Sequence, residues 1–277
     1  MTNKRSVVDY YSSLGTRYGY KYILGGTKHF GLYREGYSRW NFTESMRRME
    51  DRLAAEVDLP EGSKLLDAGC GVGDVARHLA RYYGYEVVGI DVLDFNIAEA
   101  RERARSSHLS SRTHFELMSY DDLAYDNKSF DGVYTMETLV HAQDAELVLG
   151  NFSSVLKPGG RLVLFEYAHS AQLSARERIS LSRVNGLASM PSFQRFELGV
   201  LDDLVSRAGF VDICRTDITQ QMEPMFRSFA QMARLPYLVS RIVGKPNLFV
   251  NAMSAAEMWK MRGVLHYCIY TATKPSS

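Results

Sequence analysis

Lys64-Leu65-Leu66-Asp67-Ala68-Gly69-Cys70-Gly71-Val72-Gly73 is the stretch that decides the fold of this chain. A short apolar run ends in an acid, and three glycines follow at alternate positions. Eighteen residues after Gly73, a second apolar run, Val87-Val88-Gly89-Ile90, ends in Asp91. Strand, glycine-rich turn, helix, strand, acid is the layout of a nucleotide-type site at the carboxyl ends of parallel strands. The glycines let the backbone approach a ligand closely, and Asp91 is placed to accept hydrogen bonds from a ribose. A dinucleotide site uses G-x-G-x-x-G, because a helix N-terminus must meet a pyrophosphate. Here the spacing is G-x-G-x-G, with Asp74 next. An acid at the mouth of the turn repels a pyrophosphate and suits a ligand with a cationic end, as S-adenosylmethionine has in its sulfonium and ammonium groups.

The rest of the chain is consistent with one large α/β domain, or one domain with a sizeable insertion, in 277 residues. Lys and Arg number 33 against 32 Asp and Glu, a net charge of +1, which argues against a nucleic-acid partner. Cys70, Cys214 and Cys268 are widely spaced and form neither a metal pattern nor a disulfide framework, and each reads as a buried free thiol beside an apolar run. The N-terminus from Met1 to Asp9 is largely polar with no apolar h-region, and no uninterrupted apolar run reaches the ~18 residues of a membrane span, so a cytoplasmic protein with no transmembrane segment is expected.

Strands are expected at 64–68, 86–91, 113–117, 130–136 and 161–167, with helices near 43–57, 73–83, 94–107 and from Asp144 to Lys157, where Pro158-Gly159-Gly160 stops the last. Such alternation means βαβ units: a Rossmann-like, seven-stranded, mostly parallel sheet with helices on both faces. Leu198–Ala208 reads as a helix, and 210–218 and 265–272 as the closing strands. Between the closing strands, Met222, Met225, Phe226, Phe229 and Met232 recur at helical spacing. The N-terminal forty residues are crowded with aromatics, among them Tyr11, Tyr18, Tyr33 and Trp40, interrupted by glycines. We expect an aromatic N-terminal cap at 1–58 and a main domain at 59–277, with a helical lid insertion at about 220–262. Cap and lid close over a hydrophobic acceptor that touches Tyr11, Tyr18, His29, Tyr33, Met225, Phe226 and Phe229. An extra helical layer or a homodimer surface is the alternative for the insertion.

After the fourth strand comes Tyr134-Thr135-Met136-Glu137-Thr138-Leu139-Val140-His141-Ala142. Glu137 and His141 are four apart, share a face if the segment is helical, and are the candidates for taking a proton or stabilising a cation. Glu-Thr-Leu-Val-His-Ala resembles the E-A-T-x-H-A segment of sterol C-24 methyltransferases. The stretch from Leu66 to His78 resembles motif I of class I methyltransferases, and Val155–Gly160 also matches. His29-Phe30-Gly31-Leu32-Tyr33 is similar to the H-x-G-x-Y of tocopherol-type and related N-methyltransferases. The resemblance covers 60–170 well and fades beyond. It implies S-adenosyl-L-methionine as cofactor, no metal, and cofactor contacts at Asp67, Gly69, Cys70, Gly71, Gly73, Asp91, Val92, Asn96, Ser119, Tyr120 and Met136. Met118-Ser119 stands where many class I enzymes have Gly-Asp near the adenine. The implied activity is methyl transfer to carbon, nitrogen or oxygen of a hydrophobic small molecule, isoprenoid, sterol-like or from secondary metabolism. A non-catalytic cofactor-binding module and, less favoured, a nicotinamide-dependent oxidoreductase are the alternatives.

Overall fold

The computed structural model describes residues 29–244 and 249–276. Helix α1 (Phe42–Val57) buries Met46, Met49, Leu53 and Val57 along one stripe, as a period of roughly 3.6 residues requires. The alternating part follows: β1 (Lys64–Ala68), α2 (Asp74–Tyr82), β2 (Glu86–Asp91), α3 (Asp94–Ser106), β3 (Thr113–Leu117), β4 (Phe130–Met136), α4 (Ala145–Val155) and β5 (Leu156–His169). Then come α5 (Ala175–Ala188), α6 (Val200–Arg207), β6 (Val211–Asp217), the three helices α7 (Thr219–Met232), α8 (Arg234–Val243) and α9 (Val250–Lys260), and finally β7 (Leu265–Thr273).

The seven strands form one sheet in the order β3-β2-β1-β4-β5-β7-β6. β1 to β5 pair in parallel, and β7 runs antiparallel between β5 and β6. The chain winds outward from β1 to β3, then returns to lay β4 against the other side of β1. With right-handed crossovers, this puts α2 and α3 on one face and α4 on the other. The reversal between β1 and β4 opens a crevice at their carboxyl ends, where ligands of such sheets bind. One continuous hydrophobic core joins the sheet to Phe30, to Met49 of α1 and to Met225 and Phe226 of α7. Among the described residues, no helix is long and apolar enough to cross a membrane.

Two local expectations differ from the structure. The helix before β5 ends at Val155, and β5 starts at Leu156, not Arg161. Gly159 takes a φ of +76°, and the β4–β5 register shifts between Phe130 and Gly132. The Pro-Gly-Gly run is therefore an irregularity within the strand and not a stop between elements. Cys214 is exposed on the edge strand β6, while Cys70 and Cys268 are buried. Helix α5 carries a capping box, Ser174 with Glu177, that the S-x-x-E spacing announces. Its buried apolar residues, Leu181, Val184 and Ala188, recur at i, i+3 and i+7, while Ile179 lies off that stripe and faces solvent.

Candidate active site

The turn after β1 is tied to β2. Gly69 N and Cys70 N both donate to the Ile90 carbonyl, at 2.8 and 2.9 Å. Asp91, at the end of β2, accepts from Gly71 N at 2.9 Å, Leu93 N at 2.9 Å and Asn96 Nδ2 at 3.2 Å, so its carboxylate shapes the turn it faces. Val92 follows it, half-buried. All three glycines lie in the left-handed region. Their surroundings differ. A Cβ on Gly69 would stand 2.6 Å from Thr138 Cγ2, and one on Gly73 would stand 2.5 Å from Phe115 Cζ. A Cβ on Gly71 would meet nothing within 4 Å. Two glycines are thus fixed by packing, and the middle one presents bare backbone to open space. Asp74 does not face that space as a spare charge: it pairs with Arg77 and, at 3.1 Å, with Arg103. The buried acid here is Asp67. Its Oδ2 makes no hydrogen bond within the protein, although the Tyr134 hydroxyl stands near. Burial pushes the Asp67 carboxyl up to about 7, with the neighbouring Asp91 charge adding to the effect. An orphaned buried acceptor beside a stretch of bare glycine backbone, with the Asp91 carboxylate at the end of the next strand, fits a cofactor with a cationic end and a ribose.

The loops after β3 and β4 close the crevice. Ser119 Oγ donates to Asp121 Oδ2 at 2.8 Å, so an acid stands two residues on from the position where the usual acid is absent. Tyr120 OH donates to the Thr138 carbonyl at 3.0 Å. Thr138 Oγ1 in turn donates to the Ala68 carbonyl at 2.7 Å while its methyl packs on Gly69. Met136 is buried at the end of β4. Glu137 has a φ of +60°, and only Leu139–His141 forms a short 3-10 turn. Glu137 and His141 therefore do not share a helical face. The Glu137 carboxylate is buried and accepts from Phe30 N at 2.6 Å, from Tyr267 OH at 2.8 Å and from Tyr167 OH. Burial raises its pKa, and these donors pull the other way. Glu166, on β5, accepts from Leu139 N at 2.6 Å and is pushed by burial, and then by Glu137, up to about 8. The His141 Nδ1 lies 2.7 Å from the Ser189 carbonyl at the end of α5. A carbonyl only accepts, so Nδ1 carries a hydrogen and the bond fixes the ring's orientation.

The N-terminal side meets α7 above this floor. Phe30 sits among Phe229, Phe226, Tyr167 and Tyr267, with ring centroids 5.6, 6.0, 6.2 and 6.2 Å away. Gly31 N points at Met225 Sδ at 3.0 Å, and Tyr33 N donates to the Gln221 carbonyl at 2.9 Å. Met225, Phe226 and Phe229 thus come together with the N-terminal segment. Two neighbours in that segment are engaged elsewhere. Tyr33 OH donates to the Arg39 carbonyl, and His29 Nε2 stands 3.5 Å from Glu50 of α1. Glu50 also meets His78 at 3.0 Å; despite its burial, these two histidines hold it at about 2. Tyr11 and Tyr18 lie outside the described residues. The sequence reading missed Tyr167, Tyr267 and Glu166, which sit inside ordinary strand patterns, and Ser189, which acts through its backbone.

A model of a methyltransferase domain matches residues 65–160. The S-adenosyl-L-methionine-dependent Diels-Alderase iccD of Talaromyces variabilis is 36% identical over 98% of this chain and 96% of its own length. The methyltransferase GfsG of Streptomyces halstedii is 30% identical over 79% of this chain and 78% of its own. In fold, the crystal structure of the [4+2]-cyclase SpnF superposes with a TM-score of 0.83 over 99% of this chain and 98% of that one, at 23% identity. With one relative matching nearly end to end, another over more than three quarters, and the glycine turn, acids and sheet order all in place, this chain belongs to the S-adenosylmethionine-dependent methyltransferase family.

Proposed function

We infer that the crevice between β1 and β4 is the active site, and that the enzyme transfers a methyl group to a hydrophobic small molecule held beneath the Phe30 cluster. The observation that carries this is the placement of His141: its Nδ1–H is anchored on the Ser189 carbonyl, which orients the ring at the end of the 3-10 turn beside the glycine-rich crevice. It sits one 3-10 turn beyond Thr138, which packs on Gly69. Asp91, with Asn96 behind it, would hold the ribose, Gly71 would face the bound cofactor, Asp67 its cationic end, and Ser119 and Tyr120 the adenine side. S-adenosylmethionine, when bound, supplies an electrophilic methyl on a sulfonium. His141 takes the acceptor's proton, and the aromatic rings exclude water and orient the apolar body of the acceptor. Glu137, which accepts from Phe30 N, Tyr267 OH and Tyr167 OH, ties the Phe30 backbone to the strand ends and acts as a positioning group.

Ring closure of a flexible polyene under a retained cofactor is the competing activity. It is favoured by the relative that matches 98% of the chain, whose name states a Diels-Alderase. In that case the rings fold the chain and no proton acceptor is needed. Incubation with methyl-labelled donor and a panel of isoprenoid, sterol and polyketide-type acceptors separates the two. Labelled product with release of S-adenosylhomocysteine supports methyl transfer. Cyclised, unlabelled product with the donor recovered intact supports ring closure and refutes methyl transfer.

A further inference from the structure

The outer face of the α7–α9 layer carries features that the reaction does not use. Helix α8 reads Arg-Leu-Pro-Tyr-Leu-Val-Ser-Arg-Ile-Val and contains no acidic residue. Leu235, Leu238 and Ile242 fall at i, i+3 and i+7 and are 69, 54 and 76% exposed. A stripe at that spacing ordinarily packs onto a core, and here it faces solvent. Six of the thirteen exposed large apolar side chains among the described residues fall between Met232 and Phe249, so this is a patch and not scatter. Beside it, an open cavity of about 510 Å³ lies between α5, α8 and α9. Arg183 and Lys260 line it and share the buried Glu257 carboxylate at 3.2 and 2.7 Å. Two cations against one carboxylate leave this margin positive. Arg234 and Arg262 are exposed and add charge of the same sign, and on α7 Glu223 is paired with Arg227.

We propose that this face seats the enzyme on an anionic lipid surface, with α8 lying in the interface, its aliphatic stripe at the acyl boundary and the cationic margin against the headgroups. Apolar stripe and cations together select such a surface: cations alone would not need exposed leucine, and a purely apolar partner would not need the charge. The proposal is independent of which reaction the active site performs. Flotation of the full chain with phosphatidylcholine vesicles, with and without phosphatidylserine, tests it. Binding is expected to the mixed vesicles, weaker binding to the neutral ones, and loss in high salt. Arg234→Glu should weaken binding severalfold. The triple change Leu235→Ser, Leu238→Ser, Ile242→Ser should weaken it by more than about tenfold, with circular dichroism and the melting temperature unchanged. Vesicle binding unaffected by the triple change overturns the proposal. So does an absence of vesicle binding alongside a dimer in sedimentation that the triple change makes monomeric, since a second copy then covers the face.

Discussion

At the residue scale, the three glycines of the turn have different jobs and should fail differently. Gly69→Ala and Gly73→Ala place a Cβ against Thr138 and Phe115 at 2.6 and 2.5 Å in a left-handed backbone. Overpacking of that kind costs about 1–3 kcal/mol, so both variants should melt at lower temperature with or without donor. A Cβ on Gly71 meets no protein atom within 4 Å, so Gly71→Val adds no packing clash at Cβ beyond the strain of a left-handed backbone, and its larger effect should fall on donor binding, read by calorimetry on the folded protein. Normal donor affinity in Gly71→Val would make the turn purely structural. Asp91→Ala removes the expected ribose anchor, a charge-assisted contact of about 1.5–3 kcal/mol, and should weaken donor binding roughly ten- to a hundredfold. Because Asp91 also holds Gly71 N and Leu93 N, the melting temperature of the apo variant should fall too. His141→Ala should lower kcat by about 10²-fold with donor affinity kept if Nε2 is the base. Undiminished turnover on a true acceptor would leave positioning alone as the source of rate.

At the element scale, the segment 29–33 and helix α7 hold one another. Phe30 is buried among four rings, and its backbone N–H ends on Glu137, 107 residues away in sequence. Phe30→Ala should cost about 3–5 kcal/mol of local packing and open both elements together to limited proteolysis. Cleavage confined to only one of them would show that they do not close as a unit. This pairing shows what a sequence can and cannot disclose. The strands and helices from Lys64 to Met136 were legible because periodicity, glycine spacing and terminal acids all agreed. The meeting of His29–Tyr33 with Met225–Phe229 was legible only as shared aromatic and apolar character. Glu137 and His141 were singled out by residue type, and the shared face they would have on a helix does not arise, because only Leu139–His141 is helical. A left-handed Glu137 ends the strand before any helix can start, a choice that depends on tertiary donors from Phe30, Tyr167 and Tyr267. Glu166 and Ser189 left no signal, one a polar residue in a buried strand and the other a carbonyl at a helix end.

At the scale of the whole molecule, the buried carboxyls and histidines set the pH at which the fold is most stable. Glu166 holds its proton up to about 8 and Asp67 up to about 7, against ordinary values of 4.5 and 3.8. Between the ordinary and folded values the native state binds more protons than the unfolded one, so stability falls as pH rises through that window. His29 and His78, both raised by Glu50, act in the same sense: their contribution is present below the ordinary histidine value of 6.5 and is lost as pH rises through their folded values. Glu50 acts oppositely. Held at about 2 against an ordinary 4.5, it contributes stability above 4.5 that is lost as pH falls towards 2. The two limbs place the maximum on the acid side of neutrality. The melting temperature should therefore drop from about pH 6 to about pH 9, and Glu166→Gln, which keeps the hydrogen bond from Leu139 N and removes the ionisation, should flatten that drop. A wild-type melting temperature that is level across this range, or an equally steep fall in Glu166→Gln, would mean that the carboxyl beneath the 138–141 turn does not hold its proton in the folded enzyme.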